Sequence, residues 1–527
     1  MNQTCNSILI LGGGSAGWLT AAYLARRLGS GRPDGPTITL VESPNVPSVG
    51  VGEGTLPSLR LTLATLGVDE AAFMRASEAT FKQGIHFSGW SQSPDGSPAS
   101  YFHPFNSPRQ MGGIDLVPYW SLGAAGKGDS YTRAITPQHD VYTAMKAPKR
   151  LEDAPFSGPL NYAYHLDVHR FGEFLKAYAL GLGVKHVSDH ITAVERAETG
   201  DIAGLDGEAS GRLTADLYVD CSGFKARLIG DALGEPLVPV GDSLFCDRAV
   251  AIQVPWDRPD APLPSATIST AHEAGWTWDI GLRQRRGVGY VWSSAHSDAD
   301  AAETILRRYV GQDADDHPVR HLTMTTGFRR RQWVGNCVAV GLSAGFLEPL
   351  ESTGILLIEA AAHLIADNLP RRGDFAPAAR HFNSAMGQRF TCAVDFLKLH
   401  YALSNRRDTA FWRDNADPAS WPLSLRDKLD RWQVRLPNAH DLDSAHDSFR
   451  HINYAYVLIG MGAAPDLAGD RARYPFLSEA TAEFGRIKDA TGRAMAALPD
   501  HRALVEGLQT HRFGAAAPRT ASMGGAR

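Results

Sequence analysis

Five cysteines in 527 residues (Cys5, Cys221, Cys246, Cys337 and Cys392) are few, scattered and odd in number, and none forms a CxxC pair. That excludes a disulfide framework or a cysteine zinc site and fits a reduced, cytoplasmic protein. No run of about 18 apolar residues occurs, so no membrane-spanning helix is expected. The opening residues carry neither a basic stretch nor a small-residue cleavage site, so no signal peptide is expected. Positive charge is not in excess: the formal net charge is -5 and the pI about 6.4. Nucleic acid and anionic membrane are therefore not expected as partners. The histidines, His165 and His169 among them, lack metal-ligand spacing. Gly123 to Ser130 lacks GxxxxGK spacing and reads as a loop. Arg329-Arg330-Arg331 reads as a strand edge or a phosphate neighbour. No internal repeat is found.

What is present is a core, with 43% hydrophobic residues, and one strong local pattern. Ser7 to Leu11 is a buried-strand run. Gly12, Gly14 and Gly17 follow in GxGxxG spacing, then helical periodicity from Trp18 to Arg27. A second strand, Thr37 to Val41, ends at Glu42. Glycines there permit a tight turn and close approach of a pyrophosphate. The helix dipole favours the phosphate charge, and the acid accepts from a ribose hydroxyl. The loop alone does not separate FAD from NAD. Later segments do. Residues 183–191 with Val194 read as a strand pair, Leu213 to Val219 leads into Asp220-Cys221-Ser222-Gly223, and a last strand and helix fall at 338–369. An NAD domain would be more compact. FAD, being elongated, draws its contacts from segments spread along the chain.

The last of these segments is the most informative. Val338-Ala339-Val340 reads as strand, Leu356 to Leu369 as helix, and Gly341 to Ile355 as the turn between them. A helix N-terminus with small residues and a Ser-Thr-Gly sequence can hold an anion on its free N–H groups. An anion pocket beside a flavin suits oxidation of a halide by a flavin peroxide.

With these residues in place, the chain from about 5 to 465 resembles the flavin-dependent halogenases, specifically the tryptophan halogenase family. The motifs that carry the resemblance are the glycine loop, Gly50-Val51-Gly52-Glu53-Gly54-Thr55, Thr80-Phe81-Lys82, Trp276-Thr277-Trp278-Asp279-Ile280 and Pro349-Leu350-Glu351-Ser352-Thr353-Gly354. The resemblance implies a mixed α/β fold: a FAD-binding GR2-type monooxygenase-like box with a mostly helical substrate-binding part. The box is expected from 1–90 and 155–360, the helical part from 91–154 and 361–510, and a disordered tail from 515–527.

The resemblance also implies the chemistry. A separate NAD(P)H flavin reductase supplies reduced FAD, oxygen makes a flavin hydroperoxide, and chloride or bromide is oxidised to hypohalous acid. Lys82 matches the family's lysine that guides the halogen to the substrate, and Phe81, Ile85 and Phe87 flank it. Burial lowers an amine's pKa and frees its lone pair. Glu351 matches the active-site glutamate, which orients the halogenating species and takes the ring proton. Thr353 and Gly354 bind halide through backbone N–H groups, and Ser352 links that turn to the lysine. The cofactor contacts are Gly12, Gly14, Ser15, Ala16, Gly17, Glu42, Glu53, Ile191, Leu342 and Ile355. Trp276 and Trp278, facing one side of a strand, lie near the flavin and disfavour monooxygenation. Gly281 stands where the family has proline.

His103 and Phe105 match the substrate-sandwiching stretch and are expected to stack on an indole. Phe449 to Gly460 lacks a recognisable tryptophan-gripping set, so free indole is as good a candidate as tryptophan. The sequence leaves a homodimer open. The competing reading is a single-component aromatic monooxygenase, which would carry Gly-Asp-Ala-Ala-His where this chain has Gly341-Leu342-Ser343-Ala344-Gly345.

Overall fold

The computed structural model describes residues 5–46, 52–126, 128–311, 314–370, 374–442 and 446–514. Gly50, Val51 and the tail 515–527 lie outside the described residues.

A six-stranded sheet runs in the order Lys185–Ser188, Thr37–Glu42, Ser7–Leu11, Leu217–Asp220, Cys337–Ala339 and Trp333–Val334. Its first five strands are parallel, and the last closes an antiparallel hairpin. Ile8, Ile10, Leu40, Val219 and Val338 are almost fully buried in it. Such unbroken apolar runs suit strands covered on both faces. The helix Ser15–Leu28 covers one face and packs on the helices Val168–Gly181 and Thr353–Asn368. It ends at Gly29, whose φ of 73° suits a residue without Cβ, with Arg26 and Arg27 in its last turn.

A seven-stranded sheet is ordered Val319–Thr323, Arg248–Pro255, Arg285–Trp292, Gly275–Gly281, Thr267–Ala271, Gly84–Gln92 and Pro98–Pro104. It is antiparallel except where Thr267–Ala271 runs parallel to Gly84–Gln92. A three-stranded sheet links the two large ones: Ala163–Asp167 lies between Gly52–Gly54 and Thr80–Lys82. Through it His165 pairs across to both Gly54 and Thr80.

Two expectations need correction. The segments around 185 and 191 are not a strand pair. Lys185–Ser188 joins the edge of the parallel sheet, whereas Ile191–Arg196 pairs with Ile202–Gly207 in a separate sheet. Asp189 makes the break, because it caps a turn by accepting from the backbone of Ala209 and Ser210. Nor is 91–154 mostly helical: Pro98–Pro104 is the edge strand of the seven-stranded sheet, and three short helices follow. The helical part proper begins with the long helix Ala376–Ala402 and continues through Leu477–Ala497. No helix among the described residues is long and apolar enough to cross a membrane.

Candidate active site

Gly12, with φ 118°, passes so close to Cys221 that an added Cβ would lie 2.2 Å from its carbonyl oxygen. At Gly17 the same addition would meet the carbonyl of Gly12 at 1.9 Å. Gly14 is the helix N-cap; no side chain caps it, and nothing lies within 4 Å of where its Cβ would be. Half-buried Ser15 and Ala16 open the helix. This is an open, uncapped N-terminus with room for a phosphate group. Glu42 reaches over the loop, held by Lys176 at 2.5 Å and His186 at 2.8 Å. The donor set therefore fits FAD: N–H groups for the diphosphate and a fixed carboxylate for a ribose.

The last strand of the parallel sheet delivers its turn to the same place. Gly341, with φ 75°, approaches Ala16 so closely that a Cβ would be 2.8 Å from the alanine methyl. Leu342 is partly exposed there, while Ile191 and Ile355 are buried. Arg329 is a structural member of this turn, donating to the carbonyls of Ser343 and Glu235.

Beyond Gly345–Phe346 the chain makes a 3-10 turn, Pro349–Glu351, and Ser352 takes φ 59° before the helix Thr353–Asn368 starts. Positive φ is costly for serine. Its hydroxyl does not cap the helix but accepts from Lys82 Nζ at 2.7 Å. The first-turn N–H groups are thus left without a side-chain cap, and Gly354 has nothing within 4 Å of its Cβ position.

Lys82 is fully buried, and desolvation pushes its pKa down to about 7 against the opposing charge of Glu351. A Cβ on Gly54 would stand 2.9 Å from Lys82 Nζ and 3.0 Å from Ser352 Oγ, so glycine leaves room for both side-chain ends. The Phe105 ring lies 5.3 Å from Nζ. Glu53, next to Gly54, is half-buried, and desolvation raises its carboxyl to about 7.

Glu351 is 1% exposed. Its Oε1 is 2.9 Å from His103 Nδ1 and 2.9 Å from His400 Nε2. Burial alone would raise its pKa, but the two histidines outweigh that and hold it at about 2. His103 therefore differs from a free stacking ring: both its nitrogens are engaged, the second by Asn453 at 3.0 Å. Sequence reasoning missed His400 and Asn453. Each is a single polar residue in an otherwise ordinary helix, and no local spacing ties either to position 351.

Trp276 and Trp278 lie on one strand face, with ring centroids 6.4 Å apart. Gly289 makes room for the second, since a Cβ there would fall 2.1 Å from the indole. Gly281, in the place of proline, receives Thr80 Oγ1 on its carbonyl at 2.6 Å. Its Cβ position is 2.9 Å from Leu263 and 3.3 Å from Trp256. The structure thus gathers Lys82, Phe105, His103, Glu351 and Ser352 around one buried turn, and sets the start of the glycine-loop helix against the preceding turn, at Ala16 and Gly341.

A glycine loop on a parallel sheet, a second uncapped helix start and a buried lysine are the arrangement expected of a flavin enzyme. Comparison with known proteins gives the family. Residues 7–473 match the tryptophan halogenase family. Tryptophan 6-halogenase SttH of Streptomyces toxytricini is 34% identical over 514 residues, covering 94% of this chain and 96% of that protein. Tryptophan 7-halogenase RebH of Lentzea aerocolonigenes is 34% identical over 527 residues, covering 95% and 98%. The crystal structure of a tryptophan halogenase from Shewanella frigidimarina NCIMB 400 superposes with a TM-score of 0.93 at 36% identity, covering 97% of this chain and 99% of that one. The chain belongs to the tryptophan halogenase family and is a flavin-dependent halogenase.

Proposed function

We propose that this enzyme uses reduced FAD, delivered by a separate NAD(P)H flavin reductase in the cytoplasm, to install chloride or bromide on a small neutral indole. The observation that carries this reading is the Lys82–Ser352 hydrogen bond beside an uncapped helix start. Bound reduced FAD and oxygen supply the oxidising equivalent. Overall, an aryl C–H, halide, oxygen, reduced FAD and a proton give aryl halide, FAD and two waters. In this reading residues 1–90 and 155–360 form the FAD-binding box, and 91–154 and 361–510 the substrate part, apart from the strand at 98–104.

Gly12 to Gly17 and Glu42 hold the cofactor's diphosphate and ribose, with Glu53, Ile191, Leu342 and Ile355 lining its path. Thr353 and Gly354 hold halide on backbone N–H groups. Lys82, poised about 7, is partly free amine at neutral pH. It either takes the oxidised halogen or donates a hydrogen bond to hypohalous acid. Glu351, held at about 2, is a weak base, but the cation formed when halogen adds to an aromatic ring is a strong acid. A fixed carboxylate stabilises that cation and accepts its proton. Trp276 and Trp278 wall the flavin side, and Phe105 and the His103 ring flank the substrate.

Phe449 stacks on Phe396 at 3.9 Å and Tyr456 donates to the Asn106 carbonyl at 2.7 Å. These aromatics pack inward and supply no clamp for an amino acid's ammonium and carboxylate. Without polar contacts that clamp those groups, discrimination between ring positions is weak, so substitution is expected at the most reactive carbon, C3 of indole. The test is a side-by-side assay of indole and tryptophan with a reductase, FAD and each halide. Single-position benzo-ring halogenation of tryptophan with indole untouched would overturn the substrate reading. Hydroxylated product, or NADPH consumption without the reductase, would favour the single-component monooxygenase.

A further inference from the structure

The hydrogen bonds around Glu351 fix where protons sit. Arg450 N–H donates to Asn453 Oδ1 at 2.8 Å, which turns the Asn453 amide nitrogen towards His103 Nε2 at 3.0 Å. An amide nitrogen only donates, so His103 Nε2 accepts and its proton lies on Nδ1, facing Glu351. His400 Nδ1 is 2.9 Å from the Phe396 carbonyl oxygen, which only accepts, so Nδ1 carries a proton. The remaining contact, His400 Nε2 to Glu351 Oε1 at 2.9 Å, needs a proton of its own, since two facing lone pairs would repel. The His400–Glu351 pair therefore holds one proton more than a neutral imidazole and a carboxylate. Glu351 Oε1 already accepts from His103 Nδ1–H, and an oxygen that accepts from two rings is that of a carboxylate, so the extra proton sits on His400.

Lys82 feels this pair, because the Glu351 charge favours its ammonium form. Around the carboxylate stand His103 and Tyr101 from the edge strand, His400 from the long helix and Lys82; His165 lies beyond Lys82. Phe87, Trp90 and Phe396 enclose the His400 ring.

We propose that His400 is a positioning residue for halogenation: as an imidazolium it holds Glu351 as a carboxylate and cancels its charge, so that Lys82 remains a free amine. This rests on the roles given above to Lys82 and Glu351. His400→Gln keeps a donor towards Glu351 but removes the charge. In the holoenzyme with reductase, FAD, bromide and indole, the acid limb of product formation moves up by about one pH unit in H400Q, a loss of about fivefold at pH 7 that is regained by pH 9. A profile that superimposes on the wild type, or a loss equal at every pH, overturns the proposal. Should H400Q not fold, nitrogen NMR of histidine-labelled wild-type enzyme decides: a His400 ring protonated on both nitrogens at pH 7 supports it, and a neutral ring overturns it. The NMR needs no turnover, so a wild type that makes no halogenated product counts against the halogenase reading alone.

Discussion

Two helix starts carry the sites proposed for this molecule, and they are built in opposite ways. At Gly14 the approach is open: no side chain caps the helix, and nothing stands within 4 Å of the Cβ position. At Ser352 it is crowded: a serine with φ 59°, a fully buried lysine and a buried glutamate converge on one turn. An open N-terminus offers a field and N–H groups, which suffice to hold a phosphate. A crowded one shifts the pKa values of its neighbours, as the burial of Lys82 and the two histidines on Glu351 do. On the proposed reading the first is a holding site and the second a reacting one, and their backbones differ to match: Gly14 is extended at φ -73°, whereas Ser352 sits in the left-handed region at φ 59°.

The sharpest way to break this contrast is Lys82→Met. Product should fall below detection while reduced flavin is still oxidised and peroxide is released, because the holding site is untouched. The same variant should be more stable than the wild type at neutral pH. The Lys82 pKa lies at about 7 in the fold against 10.5 when unfolded, so the unfolded chain binds the proton more tightly. The penalty is full below the folded pKa and fades as pH rises towards the unfolded one. A gain on the order of 1–3 kcal/mol at pH 7, shrinking by pH 10, is expected from denaturant titrations. Near-normal bromination by Lys82→Met would show that the reacting centre lies elsewhere.

Glu351→Gln comes next. It keeps the shape and one acceptor but loses the charge that His103 and His400 hold, so product formation should drop by about a hundredfold. Flavin binding, measured by quenching of FAD fluorescence, should be unchanged. Loss of FAD binding would mean that the two helix starts are not separable.

The two regions also differed in how far the sequence revealed them. The holding site is local: three glycines, a strand on either side and Glu42 lie within one stretch, so periodicity and spacing suffice. The proposed reacting site is assembled from Gly54, Lys82, His103, Glu351, His400 and Asn453; the first four stand out by resemblance, although His103 only as a stacking ring, and His400 and Asn453 do not stand out at all. His400 is one polar residue on a long helix, visible only once that helix is packed against the seven-stranded sheet. The strand at 98–104 was hidden for a related reason. Its place at a sheet edge is decided by pairing with Gly84–Gln92, a tertiary preference that overrides local propensity.

Gly54→Ala tests crowding with a single methyl. The new Cβ would meet Lys82 Nζ at 2.9 Å and Ser352 Oγ at 3.0 Å. Both are side-chain ends that can move, so the protein should fold, but the amine can no longer keep both its burial and its hydrogen bond. Misplacement of a reacting group by a fraction of an ångström is expected to cost about tenfold in product formation. The comparison is Gly14→Ala, where the methyl meets no protein atom within 4 Å but stands where the diphosphate is proposed to approach, so FAD affinity should fall while product formation at saturating FAD changes little. Equal losses in the two variants would erase the distinction between a crowded and an open helix start.

The smallest effect is expected at Trp278. Its indole fills the space opened by Gly289, and its buried N–H has no hydrogen-bond partner in the protein. Apolar wall and idle donor are thus combined in one side chain. If the wall is what matters, Trp278→Phe removes only the donor and part of the ring. Product formation and the ratio of product to flavin oxidised should then stay within about threefold of wild type, at a stability cost of about 1 kcal/mol for the partly filled space. A collapse of that ratio with FAD binding intact would assign the N–H a partner among the reactants. Trp278 would then belong with Lys82 and Glu351 in the reacting centre.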